Sequence, residues 1–436
     1  MSSQQIQEYL TQGAMLESQE KYQEALGFYD KALELDAMNH DAYISKGVAH
    51  ANLENLDEAQ KQFENALKIN RTSGLAFFHL GNVALLKEET SLGFENYNKA
   101  ISNGFDDAQI YYNIGLLHEE NGETDLALRN YSKAISKDPI RPEIRLRKAE
   151  LQLHLEQYHE ALQSLDEMIL TNPDVFEGYH TKFLVLMQLG KHDEAGELLA
   201  KAIELFPDDI DFVIDKTTLL IAQNKTEEAF EILAELEKNA AGDGSVIYKV
   251  HMERAQIHAS RQEIGPAIAE LELAKALTEK DGEFDTDSQF LLMNCFVAKT
   301  DFEKVLEYSR ELLEKAEEES PYTDTARYYV PLALKNLGKM DEATELYHKA
   351  IEELRNKGLS SPGNLETYLL RALCHHDLEE YEKAYDLVDY VIQLKPELPE
   401  PRFQKILILE AMGKKEEAEE EKKTVNALLP PEARIQ

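Results

Sequence analysis

An all-α solenoid of about twelve stacked antiparallel helix pairs is the fold class this sequence predicts, and three observations predict it. The first is a column of small residues: Ala25, Ala59, Gly93, Ala127, Ala161, Ala195 and Ala229 follow one another 34 residues apart. The second is that other residue types keep the same phase over the first four units. Gly13, Gly47, Gly81 and Gly115 stand 34 apart, as do Tyr29, Phe63, Tyr97 and Tyr131, and Ala32, Ala66, Ala100 and Ala134. The third is composition: 30% charged residues, 43% hydrophobic ones and only 13 prolines in 436 residues suit amphipathic helices. Self-similarity at a fixed period of this length marks repeats of two helices, which bury their apolar stripes against their neighbours.

Each element of the repeat has a physical reason. The first helix carries apolar residues three and four apart and needs a small residue midway, so that the second helix can approach. The second helix carries two small residues seven apart on one face, such as Ala25 and Ala32. It recurs as KYQEALGFYDKALEL (21–35), LDEAQKQFENALKI (56–69) and TDLALRNYSKAIS (124–136). Later copies are YHEALQSLDEMIL (158–170), HDEAGELLAKAIEL (192–205) and MDEATELYHKAIEEL (340–354). Pro139, Pro173, Pro207, Pro396 and Pro430 close their repeats. After Ala229 the small position moves to Ala267, Val305 and Ala343 at spacings of 38, to Ala384 at 41, and back to 34 at Ala418. Four extra residues are about one helical turn, so these units are expected to have longer helices or longer loops.

The shift organises the chain. Residues 1–238 read as a regular array of about seven repeats, 239–245 as a glycine-containing break (AAGDGS, 240–245), and 246–436 as a second array of longer repeats. The last repeat carries KKEEAEEEKK (414–423), which suits a polar outer cap. No flexible linker separates the arrays, so one continuous stack is expected. Pro331 falls inside RYYVPLALKNLG, where it either kinks the first helix of its unit or marks a later helix start.

In the fourth unit Tyr111, Ile114, Gly115, His118, Ala127, Tyr131, Ala134 and Pro139 occupy eight signature positions, and the pattern resembles the tetratricopeptide repeat (TPR) family. The family has an aromatic where His118 stands. Columns Gly13, Gly47, Gly81 and Gly115, and Ala25, Ala59, Gly93, Ala127, Ala161 and Ala195, are its structural signature here. The resemblance implies a right-handed superhelix whose concave wall, lined by the first helices, holds peptides. It implies a non-catalytic protein–protein interaction scaffold or adaptor. The alternative is a peptide-responsive regulatory sensor whose solenoid changes shape on binding. Family geometry places Phe78, Asn82, Tyr112, Asn113 and Arg147 on that wall in units three to five. Chaperone-binding members grip a C-terminal carboxylate there with two Asn and three basic residues. Asn82, Asn113 and Arg147 match three of these, whereas Phe78 and Glu143 stand where lysines are expected. Asn side chains both donate to and accept from a peptide backbone, and aromatics offer apolar faces, so an extended peptide is the expected ligand.

Charge narrows the partner. The net charge is −37, with 43 acidic and 21 basic residues in 1–240 and 40 and 25 in 241–436. Such a surface repels phosphate backbones and anionic membranes, which leaves basic protein segments as ligands. No apolar run approaches the roughly 20 residues of a membrane span. MSSQQIQEYL is not a secretory signal, and two cysteines, Cys295 and Cys374, fit a reducing compartment. A cytoplasmic protein is the expectation. The apolar first helix, with Ile6, Tyr9, Leu10 and Leu16, offers an end through which two copies could form a homodimer.

Catalytic chemistry is not expected. There is no phosphate-binding glycine loop, no HExxH and no GxSxG. In DGEFDTD (281–287), Asp281, Glu283, Asp285 and Asp287 alternate like calcium ligands, but Thr286 and Leu292 replace the required Gly and Glu. Cys374, His375, His376 and Asp377 are neighbours on a helix and point in different directions. His50, His118 and His258 occupy a packed position, so no metal and no cofactor are expected.

Overall fold

The computed structural model describes residues 2–280, 282–317, 320–360 and 364–429, and every regular element among them is an α-helix. Asp281 and Pro430 lie outside the described residues. Helices follow one another two to a repeat. The first three repeats are α1 (Ser2–Glu17) and α2 (Tyr22–Leu35), α3 (His40–Asn52) and α4 (Leu56–Ile69), and α5 (Gly74–Leu86) and α6 (Thr90–Ser102). The next three are α7 (Ala108–Glu120) and α8 (Thr124–Lys137), α9 (Pro142–His154) and α10 (Tyr158–Thr171), and α11 (Phe176–Gln188) and α12 (His192–Leu205). Then come α13 (Asp211–Ala222) and α14 (Thr226–Asn239), α15 (Gly244–Ser260) and α16 (Ile264–Lys280), and α17 (Thr286–Ala298) and α18 (Phe302–Lys315). The last are α19 (Pro321–Asn336) and α20 (Met340–Ser360), α21 (Leu365–Asp377) and α22 (Tyr381–Leu394), and α23 (Pro399–Ala411) and α24 (Lys415–Leu428). The fold is an all-α helical-repeat solenoid, with two compact units dividing between Asp215 and Lys216, inside α13.

The glycine column is explained by close approach. A Cβ on Gly13 would sit 2.3 Å from the ring of Tyr29, and one on Gly47, Gly81 or Gly115 would sit 2.5 Å from Phe63, Tyr97 or Tyr131. Each of these rings is buried, so in every early repeat the ring of the second helix lies flat against the bare backbone of the first. Burying such a ring contributes about 2 kcal/mol or more from area alone, and the missing Cβ is what makes room for it.

One feature of the turns escaped the sequence. Five residues before the small-residue position, every one of the twelve repeats has a backbone φ between +56° and +79°. Only Gly122, Gly190, Gly338 and Gly413 are glycines there; Glu20, Glu54, Glu88, Glu156, Asn224, Gln262, Thr300 and Glu379 adopt the same left-handed conformation. The next amide then bonds back into the first helix, as in Asn55 N to the His50 carbonyl at 2.9 Å. Three of these turns carry a second tie, from a histidine Nδ1 to a carboxylate five residues on: His118 to Glu123, His258 to Glu263 and His375 to Glu380, at 2.6–2.7 Å. His118 and His258 also pack on Phe94 and Phe230 of the preceding second helices.

The longer spacings enter partly as helix: α15 and α16 have 17 residues each and α20 has 21. Pro331 lies well inside α19, which begins ten residues earlier, so the helix does not start late. Its missing N–H leaves the Arg327 carbonyl without the usual helical donor. AAGDGS is a tight helix-to-helix turn in which Asp243 caps α15 by accepting from the amides of Ser245 and Val246.

Candidate functional site

The first helices α5, α7 and α9 carry the five residues singled out from sequence, and the structure treats them unequally. Phe78 is only 9% exposed. Its ring packs on Phe105 at 5.1 Å and on Tyr97 at 6.1 Å, so it is a floor beneath the face rather than a surface on it. Tyr112 is half-buried, with its ring 5.8 Å from that of Tyr131.

Asn82 and Asn113 meet across the helix boundary. The Tyr97 hydroxyl donates to Asn82 Oδ1 at 2.7 Å, and Asn113 Nδ2 donates to Asn82 Oδ1 and to the Tyr97 hydroxyl, both at 3.0 Å. Gln109, one turn earlier on α7, donates to Asn113 Oδ1 at 2.8 Å, and Arg141 donates to Gln109 Oε1 at 2.8 Å. The result is a polar line, Arg141–Gln109–Asn113–Asn82/Tyr97, spanning α5, α7 and the start of α9. Among the described residues Asn82 Nδ2 makes no hydrogen bond and remains a donor.

Arg147 is engaged. It reaches Glu119 through Nη2 at 2.8 Å and Nε at 3.1 Å, while the Tyr131 hydroxyl donates to Glu119 Oε2 at 2.5 Å. Glu150 lies 3.5 Å from its Nη1, and Arg141 pairs with Glu143 at 2.6 Å. Three carboxylates therefore face two guanidiniums, and a carboxylate-terminated ligand meets no free cation. Burial, with these charges around it, raises the Tyr112 phenol above its ordinary range.

Sequence reasoning missed that Asn113 and Arg147 belong to a longer ladder. Ser45, His79, Asn113, Arg147, Thr181 and Asp215 are spaced by 34 and occupy the same position of successive first helices. All are polar. The first four lie against the rings of the preceding repeats. His79 stacks on Phe63 at 5.0 Å and 10°, and burial pushes its imidazole down to about 4, so it is neutral at physiological pH. Asp215 pairs with His180 at 2.8 Å; the carboxylate raises the imidazole, while burial raises Asp215 itself. The spacing alone was the available signal.

Nothing here assembles a metal centre: among the described residues no group of three or more His, Cys, Asp or Glu is arranged to hold an ion. Asp285 instead caps α17, accepting from the amides of Asp287 and Ser288, and also accepts from Tyr248; Asp287 accepts from Tyr322. No helix among the described residues is long and apolar enough to cross a membrane.

Tetratricopeptide repeat models match residues 40–73, 119–181 and 186–251. No curated protein matches the chain. Solved structures similar to it include yeast Tom70, at 15% identity over 81% of this chain and 92% of that one, with a TM-score of 0.47. A tetratricopeptide repeat protein from Parabacteroides merdae is 18% identical over 59% of this chain and 98% of that one (TM-score 0.43). YrrB, described as a TPR protein with an unusual peptide-binding site, is 21% identical over 43% and 97% (TM-score 0.36). With the repeat models matching in both halves of the first array, and helices following two to a repeat through the described residues, the chain carries tetratricopeptide repeats.

Proposed function

We propose that this protein-interaction scaffold holds an extended peptide segment of a partner across α5, α7 and α9, against Asn82, Tyr112, Asn113 and Arg147, with Phe78 beneath. Tetratricopeptide repeats are protein-interaction modules and are generally non-catalytic, which fits a chain filled with repeats. The observation that carries the reading is the polar line from Arg141 to Asn82. Its amides are already oriented by one another, so a peptide backbone meets fixed donors and acceptors and little side-chain entropy is lost on binding. The surplus of carboxylates on this face, in a chain of net charge −37, favours a basic segment over an acidic one.

The test is affinity capture from the native host with the full chain, beside the Asn113→Ala/Arg147→Ala double variant, partners being identified by mass spectrometry. A partner lost with the double variant and weakened by salt supports the reading. A partner that both proteins retain equally overturns it.

A further inference from the structure

The trio around Arg147 has a copy elsewhere in the chain with one member missing. Glu119, Tyr131 and Arg147 lie 102 residues, three repeats, beyond Glu17, Tyr29 and Ser45. In the later copy the carboxylate of the first helix accepts from the ring hydroxyl of the second helix and takes the guanidinium of the next repeat through two contacts. In the earlier copy the carboxylate and the ring are present, and Ser45 stands where the arginine would be.

That substitution leaves polar atoms stranded. Glu17 Oε1 and the Tyr29 hydroxyl are both sealed from solvent and have no hydrogen-bond partner among the described residues. Tyr29 is entirely buried. Its hydroxyl lies near enough to Glu17 and Ser45 to feel both, yet closes a well-formed bond with neither. Among the described residues no cation pairs with Glu17, and burial raises its carboxyl above the usual range. Leaving a buried polar atom unpaired is costly, and here two lie side by side. Glu17 and Ser45 are only half-buried, so a ligand side chain reaches the two sealed atoms by displacing those two side chains at the surface. The other repeats of the first array do not combine the same groups: Phe63, Leu165, Leu199 and Leu233 replace the tyrosine, and Leu85 replaces the glutamate beside Tyr97.

We propose that the notch formed by Glu17, Tyr29 and Ser45 receives the guanidinium of an arginine side chain presented by a partner peptide. Arg147 shows the fit, because Glu119 engages its Nε and Nη2 together. That fork is matched by a planar guanidinium and not by a lysine ammonium. The notch lies on α1, α2 and α3, away from Asn113 and Arg147, so it stands or falls separately from the peptide site proposed above.

The experiment uses the full chain with 13C-labelled tyrosine, the Tyr29 ring signal being assigned with Tyr29→Phe. The probes are capped Gly-Arg-Gly, its lysine and citrulline counterparts, and free L-arginine. The arginine peptide should shift the Tyr29 signal and bind at least tenfold more tightly than the lysine or citrulline peptide. Glu17→Gln should abolish the shift. Ser45→Arg should abolish it too, and should raise the thermal midpoint, because the chain then fills its own notch as Arg147 does. Should Glu17→Gln fail to fold, Ser45→Arg decides alone. Equal binding of the citrulline peptide, or binding that survives Ser45→Arg, overturns the proposal. Free arginine binding in preference to the capped peptide overturns the assignment to a peptide partner.

Discussion

In the first four repeats a glycine of the first helix faces an aromatic ring of the second; from the fifth onward the same two positions hold other pairs. Ala149 is set opposite Leu165, Ala255 opposite Leu271 and Ala372 opposite Val388, all buried. Met293 is opposite Ser309, with the sizes reversed, and both are fully buried. Phe183 stands opposite Leu199 and Pro331 opposite Tyr347. Phe183 with Leu199 and Pro331 with Tyr347 fill more space than glycine with tyrosine. In the Ala–Leu and Met–Ser pairs what is kept is the combined volume between two helices, as interiors packed to crystal-like density require. What varies is which helix supplies it.

The largest expected effect separates two glycines that look alike in sequence. Gly115→Ala gains about 1 kcal/mol of helix propensity, but its Cβ would lie 2.5 Å from the Tyr131 ring. Overpacking of that kind costs about 1–3 kcal/mol and more where the ring cannot shift, so the substitution should destabilise α7 and α8 by a net 2 kcal/mol or so. Gly27→Ala in α2 meets nothing within 4 Å and should stabilise by up to about 1 kcal/mol. Because repeats open locally, the readout is hydrogen exchange of the helix pair concerned. Adding Tyr131→Leu to Gly115→Ala should recover most of the loss, since it recreates the pairing of Ala149 with Leu165. If Gly115→Ala alone is neutral, the volume rule is wrong.

Legibility follows from the same rule. Fold and repeat phase could be read because glycine and aromatic columns coincide in repeats one to four. They fade later because Ala149/Leu165 and Met293/Ser309 preserve volume without preserving residue type, and Phe183/Leu199 preserves neither. The register was legible: Asn82 and Asn113 meet, and Asn113 and Arg147 hold the same position of successive first helices. Phe78 was not legible as core, because the contact that covers it comes from Phe105, in the turn after α6, outside the repeat pattern. Nor does sequence reveal that Arg147 is already paired, which depends on Glu119 lying one repeat earlier at the right height.

The reversed pair gives the next test. Ser309→Leu should overpack against Met293 and cost about 1–3 kcal/mol, seen as faster exchange in α17 and α18. Combining it with Met293→Ala should restore stability; a double variant no better than the single one would show that the two positions do not share a volume.

A smaller effect is chemical. Cys295 and Cys374 occupy the same position of their first helices, one filled elsewhere by Val83, Leu117 and Val185, and all five are buried. Burial pushes the Cys374 thiol up to about 12 and raises Cys295 as well. Since the thiolate is the nucleophile, alkylation of the native protein should be slow throughout pH 7 to pH 10 and climb steadily with pH, and both cysteines should react at once in denaturant. Rapid native labelling of Cys374 that levels off above about pH 9, as it does for an exposed thiol, would mean that its repeat opens far more readily than the packing implies.

The smallest effect concerns the left-handed turns, where early and late repeats do not differ. A non-glycine residue there carries about 1–2 kcal/mol of backbone strain, and glycine removes it while adding freedom to the unfolded chain worth up to about 1 kcal/mol. Glu54→Gly should therefore stabilise α3 and α4 by a few tenths of a kcal/mol, and Glu156→Gly should do the same for α9 and α10. Gly190→Ala, at the equivalent turn with φ of +65°, should destabilise α11 and α12 by about 1 kcal/mol. Exchange rates of the three helix pairs compare these directly. Equal and opposite shifts at Glu54 and Gly190 would show that the turn is governed by backbone strain alone. A larger loss at Gly190 is expected, because alanine, unlike glutamate, brings no polar group to such a turn.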